Sequence, residues 1–176
     1  MDKKLVISAL SSDRSGIVND LSQTILKAGC NIEDSRMIVL GGEFAIILLV
    51  SGVWNTIAKL EGQLPALEER LNMRIMAKTT AHLSNNKHTL SYGVDVIALD
   101  NPGIVHNLAG FFSSREINIQ ELSTSTYAAA HTATPMFSVH ITVDIPADTR
   151  IASLREEFME FCDQLNLDAV IEPIKD

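Results

Sequence analysis

The chain has 176 residues, of which 46% are apolar and 20% charged, with a mean hydropathy of +0.15. This composition belongs to a packed globular protein of one domain or two small ones, and it excludes a disordered chain, a collagen or a disulfide scaffold. The formal charge of −8 is uneven: residues 1–79 sum to zero, while residues 92–176 hold thirteen acids against four bases.

The first elements follow from local pattern. Leu5–Leu10 is short and rich in β-formers, hence a strand. Ile17, Leu21, Ile25 and Ala28 recur every three or four residues and form one face of a helix. Ile32–Leu40 and Glu43–Val50 are apolar runs around Gly41-Gly42, a two-residue hairpin signal. Ile57, Leu60, Leu64, Leu67 and Leu71 predict a second helix with Asn55 as N-cap, which Gly62 and Pro65 should kink or split. Met73–Lys78 closes the set as a strand.

After a polar stretch the order repeats. Gly93–Leu99 reads as a strand; Ile104, Leu108, Phe111 and Phe112 mark a helix; Phe137–Val143 is a strand. Ile151, Leu154, Phe158, Phe161 and Leu165 mark the last helix, with Asp148 as a cap, and Asp168–Ile171 ends the series as a strand. Ala128–Pro135 replaces the Gly-Gly hairpin by a longer connection.

The repetition is literal as well as structural. Asp13, Gly16, Ile17, Val18, Leu21, Asn31 and Ile32 align with Asp100, Gly103, Ile104, Val105, Leu108, Asn118 and Ile119 at a constant offset of 87. The chain therefore reads as a duplication: a first module over 1–79, a linker over 80–91 carrying the turn-prone Asn85-Asn86, and a second module over 92–176. Strand, helix, strand, strand, helix, strand, taken twice, is the α+β ferredoxin-like βαββαβ plan: an antiparallel four-stranded sheet with two helices on one face. Each sheet then keeps an uncovered face, so the modules should pack on one another or pair with a second chain as a homodimer.

The shared Asp-x-x-Gly-Ile-Val falls between the first strand and the first helix of each module. Helix N-termini present unpaired N–H groups and partial positive charge, so an amino-acid carboxylate fits there. Asp13 or Asp100 could take its ammonium group, and the amide of Asn31 or Asn118 could bond the same ligand. The same residues also have ordinary uses: an aspartate capping a helix, a glycine fitting a turn, an asparagine ending one. The sequence leaves both open.

Asp-Arg-Ser-Gly-Ile-Val and Asp-Asn-Pro-Gly-Ile-Val, each followed by Asn-Ile, resemble the ACT domain, a small-molecule-sensing regulatory module, over essentially the whole chain. The resemblance implies a ligand site of Asp13, Arg14, Ser15, Gly16, Ile17 and Asn31, with Asp100, Asn101, Gly103, Ile104 and Asn118 in the second module. It places the ligand between two modules, the loop of one against a strand of the other. The length, the tandem arrangement, Ala28-Gly-Cys-Asn-Ile32 followed by Asp34-Ser-Arg36, and the Glu43-Phe44 opening of the third strand further resemble the transcription-regulating members of the family, which implies an accessory regulator that responds to an amino acid, glycine, and acts by protein contact with a DNA-binding transcription activator. The alternative is a regulatory subunit conferring feedback control on a metabolic enzyme. Two departures are visible: Ser15 stands where the motif has the proline that Pro102 keeps, and the second module has the longer 128–135 connection.

Other chemistry finds little support. No apolar run reaches the ~18 residues that cross a bilayer, so no membrane association is expected. Met1–Leu5 opens without a signal-like segment, and Cys30 and Cys162 lack metal or disulfide spacing, so a reducing cytoplasm is the expected setting. His82, His88, His106, His131 and His140 have no metal-binding spacing; no metal and no cofactor are expected. Gly-x-Ser-x-Gly, Walker A and dinucleotide motifs are missing, and the chain is read as no enzyme. RNA-recognition modules share the strand order but need central-strand aromatics and a basic surface. One aromatic on each candidate strand, Phe44 and Phe137, and the charge of −8 argue against direct nucleic-acid binding.

Overall fold

The computed structural model describes residues 3–80 and 88–174. The first unit contains β1 (Lys3–Ser12), α1 (Ile17–Ala28), β2 (Asn31–Leu40), β3 (Glu43–Gly52), α2 (Trp54–Leu71) and β4 (Arg74–Thr80). The second contains β5 (Thr89–Leu99), α3 (Ile104–Ser113), β6 (Asn118–Ala128), β7 (Pro135–Pro146), α4 (Ile151–Gln164) and β8 (Asp168–Pro173). Each sheet has four antiparallel strands, ordered β2-β3-β1-β4 and β6-β7-β5-β8. This is the ferredoxin-like plan, twice. The chain separates into two compact units at Ser84/Asn85. Most of the expected linker, with His82 and Asn85-Asn86, lies outside the described residues, while Thr89, Leu90 and Ser91 already belong to β5.

Strand alternation makes the core of each unit. Leu5, Ile7 and Ala9 of β1 and Phe44, Ile46, Leu48 and Val50 of β3 are buried, because alternate side chains of a strand point to one face. Ile17, Leu21, Ile25 and Ala28 of α1 and Ile57, Leu60, Leu64, Leu67 and Leu71 of α2 close over that face. The second core repeats the scheme around Val94, Val96, Val139, Ile141 and Val143. Its helices contribute Phe111, Phe112 and Phe158, whose rings meet at 5.1–5.5 Å between centroids, in edge-on and tilted contacts typical of aromatic cores.

Local expectations met two kinds of outcome. Gly41 and Gly42 have φ of 60° and 86°, as a type I′ hairpin turn requires. α2, however, runs unbroken for 18 residues with Pro65 inside it. Leu60, Leu64, Leu67 and Leu71 are buried on both sides of the proline, and that burial outweighs one lost N–H donor. The predicted caps also shift. α2 starts from Val53, and Asn55 in its first turn accepts a hydrogen bond from the Thr56 N–H on its side-chain oxygen at 3.0 Å; α4 starts from Arg150 rather than Asp148. Cys30 and Cys162 are buried apolar fillers, and burial together with Asp163 pushes the Cys162 thiol up to about 11.

Candidate functional site

Both Asp-x-x-Gly turns adopt one conformation. Gly16 (φ 90°, ψ −7°) and Gly103 (φ 97°, ψ −6°) are the N-caps of α1 and α3, in the left-handed region that a Cβ disfavours. The first helical bonds run back to these glycines, from the Asp20 N–H at 3.0 Å and the Asn107 N–H at 2.9 Å. Neither helix has a side-chain cap, so the capping role that Asp13 and Asp100 could have filled is not taken. The first-turn N–H groups thus stand without a capping acceptor at the positive end of each helix dipole. Each turn is also tied down behind: the Asp13 N–H donates to the Gly42 carbonyl at 2.9 Å, and the Asp100 N–H to the Pro135 carbonyl at 3.1 Å. The longer connection of the second module thus still anchors the turn.

The two turns differ in charge. Arg14 folds back over the first, donating to the Asp20 carboxylate at 2.9 Å and to the Ser15 carbonyl at 3.3 Å. The ion pair is partly exposed and contributes little stability, but it keeps a guanidinium beside the helix N-terminus. In the second module the corresponding positions are Asn101 and Asn107, both neutral; Asn101 donates its amide to the Leu99 carbonyl at 3.1 Å.

Asp13, Arg14, Gly16, Ile17, Val18 and Asn19 line a shallow recess of about 310 Å³ whose other wall is Met37 of β2 and Phe44 of β3. Ser15 is exposed at the rim. Sequence reasoning missed Met37, Phe44 and the Arg14–Asp20 pairing; a base before the turn and an acid six residues on, in the first helical turn, were the available signal for the pair. Phe44 is buried on the helix-covered side and Phe137 packs against the same side of the second core, so neither offers a ring on the open face for base stacking.

Asn31 is elsewhere. It begins β2, pairs with Ser51, and lines a separate groove with Asn19, Ser22, Gln23, Leu26 and Cys30. From Phe44, at the turn, to Ser51, beside Asn31, is seven residues of β3, or about 23 Å at roughly 3.3 Å per residue. Asn118 occupies the same place in the second module, paired with Asp144 at the far end of β7 from Pro135. Asp144 is buried but satisfied, accepting from Gln120 and from Ser91. Within a module, then, the turn and the asparagine stand at opposite ends of the sheet.

Among the described residues no three His, Cys, Asp or Glu side chains are grouped to hold a metal ion, and no helix is long and apolar enough to cross a membrane.

Comparison with known proteins places this geometry. A model of the ACT domain matches residues 3–78. The glycine cleavage system transcriptional repressor of Escherichia coli (strain K12) is 36% identical over 162 residues, covering 92% of this chain and 85% of that protein. A solved structure provisionally described as a glycine cleavage system transcriptional repressor superposes with a TM-score of 0.77 at 30% identity, covering 100% of this chain and 99% of that one. An uncharacterised protein of Galdieria sulphuraria superposes with a TM-score of 0.81 at 27% identity over 99% of this chain and 100% of that one. The duplicated βαββαβ architecture is thus shared with solved structures over the whole chain, and the chain belongs to the glycine cleavage system transcriptional repressor family of tandem ACT-domain proteins.

Proposed function

We propose that this protein is a non-enzymatic, amino-acid-responsive regulator whose ligand is glycine and which works by contacting a DNA-binding transcription activator. The observation that carries the reading is the uncapped helix entry behind an Asp-x-x-Gly turn, kept in both modules. The ligand carboxylate would be received by the first-turn N–H groups and by Arg14, and Asp13 would take the ammonium group. The first module is the favoured sensor, because the second has neutral Asn101 and Asn107 where the first has Arg14 and Asp20. The Escherichia coli relative, a glycine cleavage system transcriptional repressor, supports glycine as the ligand and transcription as the output.

The position of Asn31 adds a condition. One small ligand can meet both the Asp13 turn and Asn31 only if the two come from different copies of the module, because within one module they lie at opposite ends of the sheet. Ligand binding would then be coupled to module association, and a partner protein would read that change as a shift in population.

Calorimetric titration with glycine, followed by a panel of other amino acids, tests the proposal. Saturable glycine binding is expected, abolished by Asp13→Ala, weakened by Arg14→Ala and by Asn31→Ala, and little changed by Asp100→Ala. Absence of saturable heat at millimolar glycine refutes the sensor reading; binding of a different amino acid keeps the site and changes the pathway. Co-purification then decides whether a DNA-binding protein or a metabolic enzyme is the partner.

A further inference from the structure

The two modules share a fold but present different chemistry on the sheet face that their helices leave open. In the first module this face is crossed by three rows, read from the register: Ile38–Ala45–Leu10–Arg74, Arg36–Ile47–Ser8–Met76 and Asp34–Leu49–Val6–Lys78. Leu10, Ile38, Ile47 and Met76 are 51%, 49%, 49% and 75% exposed, and Leu40 beside them 65%. They form a contiguous apolar stripe with charges only at its margins, a pattern that marks an interaction surface rather than a solvated face. In the second module the equivalent rows are Ser125–Ser138–Ile97–Asp168, Ser123–His140–Asp95–Val170 and Glu121–Thr142–Gly93–Glu172, dominated by hydroxyls and carboxylates.

We propose that the open sheet face of the first module is a self-association surface, occupied by the same face of a second copy of this chain. The marginal charges select both the occupant and its orientation. A two-fold axis lying between the faces and along the strands sets β2 over the partner's β4 and β3 over the partner's β1. Asp34, whose carboxylate also accepts from Arg36 of its own strand at 2.6 Å, then faces the partner's Lys78, and by symmetry Lys78 faces the partner's Asp34, giving two ion pairs at the margins. Between them Leu49 meets the partner's Val6, Ala45 meets the partner's Leu10, and the stem of Arg36 lies along the partner's Met76. Turning the axis across the strands would instead bring Arg74 over the partner's Lys78, a like-charge contact that disfavours that arrangement. The second module cannot use the favoured arrangement, since it would set Glu121 over the partner's Glu172.

The footprint is small, which suits a weak contact. Four strands at ~4.8 Å by six residues at ~3.3 Å give about 400 Å² per copy and about 800 Å² for the pair, at the low end for specific complexes. The dimer is therefore reversible, its population rising with concentration. The face lies on the side of the sheet away from α1 and the Asp13 turn, so the proposal stands independently of the glycine reading.

Sedimentation equilibrium of the full chain across the micromolar range provides the test, with Asp34→Lys, Lys78→Asp and the double variant. Asp34 and Lys78 sit on opposite edges of the same sheet, three strand spacings or about 14 Å apart, so they cannot pair within one copy. Each single reversal is expected to raise the dissociation constant at least about tenfold, by setting like charges opposite each other twice. The double variant is expected to restore the wild-type constant. Both positions are exposed, and far-UV circular dichroism verifies that every variant is folded. A chain that stays monomeric, a dimer unmoved by either single reversal, or a double variant no better than the singles would each overturn the proposal.

Discussion

Gly16 offers the sharpest check on the helix entry that the functional reading rests on. An ideal Cβ at Gly16 would meet nothing nearer than Arg14 Nη1 at 3.9 Å, so Gly16→Ala creates no steric overlap with the rest of the protein. The whole cost is conformational: φ of +90° puts an alanine in the left-handed region at about 1–2 kcal/mol. For a module of this size that loss lowers the melting temperature by roughly 4–16 °C, taking about 4–8 °C per kcal/mol. Gly62 is the matched control. It lies in the interior of α2, also with nothing within 4 Å of an added Cβ, but at helical φ. Gly62→Ala should therefore stabilise by about 0.5–1 kcal/mol. Urea unfolding followed by the fluorescence of Trp54, the chain's single tryptophan, reports on the first module for both variants. A neutral or stabilising Gly16→Ala, or a destabilising Gly62→Ala, would refute the backbone assignment and with it the anion-receiving turn.

Two further outcomes follow from the local chemistry. Asp34 is held below the ordinary carboxylate range, first by its hydrogen bond from Arg36 and then by the Ser35 N–H, so its NMR titration should lie below that of a free aspartate. Arg36→Ala should move the titration back up. The sign for stability is that of a depressed carboxyl: the small contribution is complete above the unfolded value and disappears as pH falls through the folded one. Iodoacetamide at pH 8 should leave Cys162 unmodified in the folded chain and alkylate it in denaturant, because the buried thiol titrates near 11. Rapid native-state labelling at Cys162, located by mass spectrometry, would contradict the burial.

The inward faces of the helices were legible in the sequence, fully buried along α1, α2 and α3, whereas on α4 Leu154 and Phe158 are buried and Ile151 and Phe161 only partly so. Ile17, Leu21, Ile25 and Ala28, and likewise Ile104, Leu108, Phe111 and Phe112, are buried as their spacing required. Period-3.6 burial is a local signal, and the duplicated Asp-x-x-Gly turn is local too, which is why the fold and the turn could both be read before any contact was known. Helix ends and breakers were less legible. Asn55 and Asp148 have cap chemistry but do not cap, and Pro65 does not end α2, because leucines on either side of it are held by the sheet. Propensity is a weak preference that tertiary packing overrides.

The candidate site divides along the same line. Asp13, Arg14, Gly16 and Ile17 are contiguous, so the chain itself brings them together, whereas Met37 and Phe44 reach the recess only through strand pairing. Asn31 is close to the turn in sequence and remote from it in space, because α1 carries the chain the length of the sheet before β2 begins. The amino-acid order by itself determined which residues turn, which helix faces are buried and that the module occurs twice. Only the tertiary structure decided which side chains share a recess and which sheet face is left apolar, since both depend on strand register, and register is set by contacts between residues far apart in the chain.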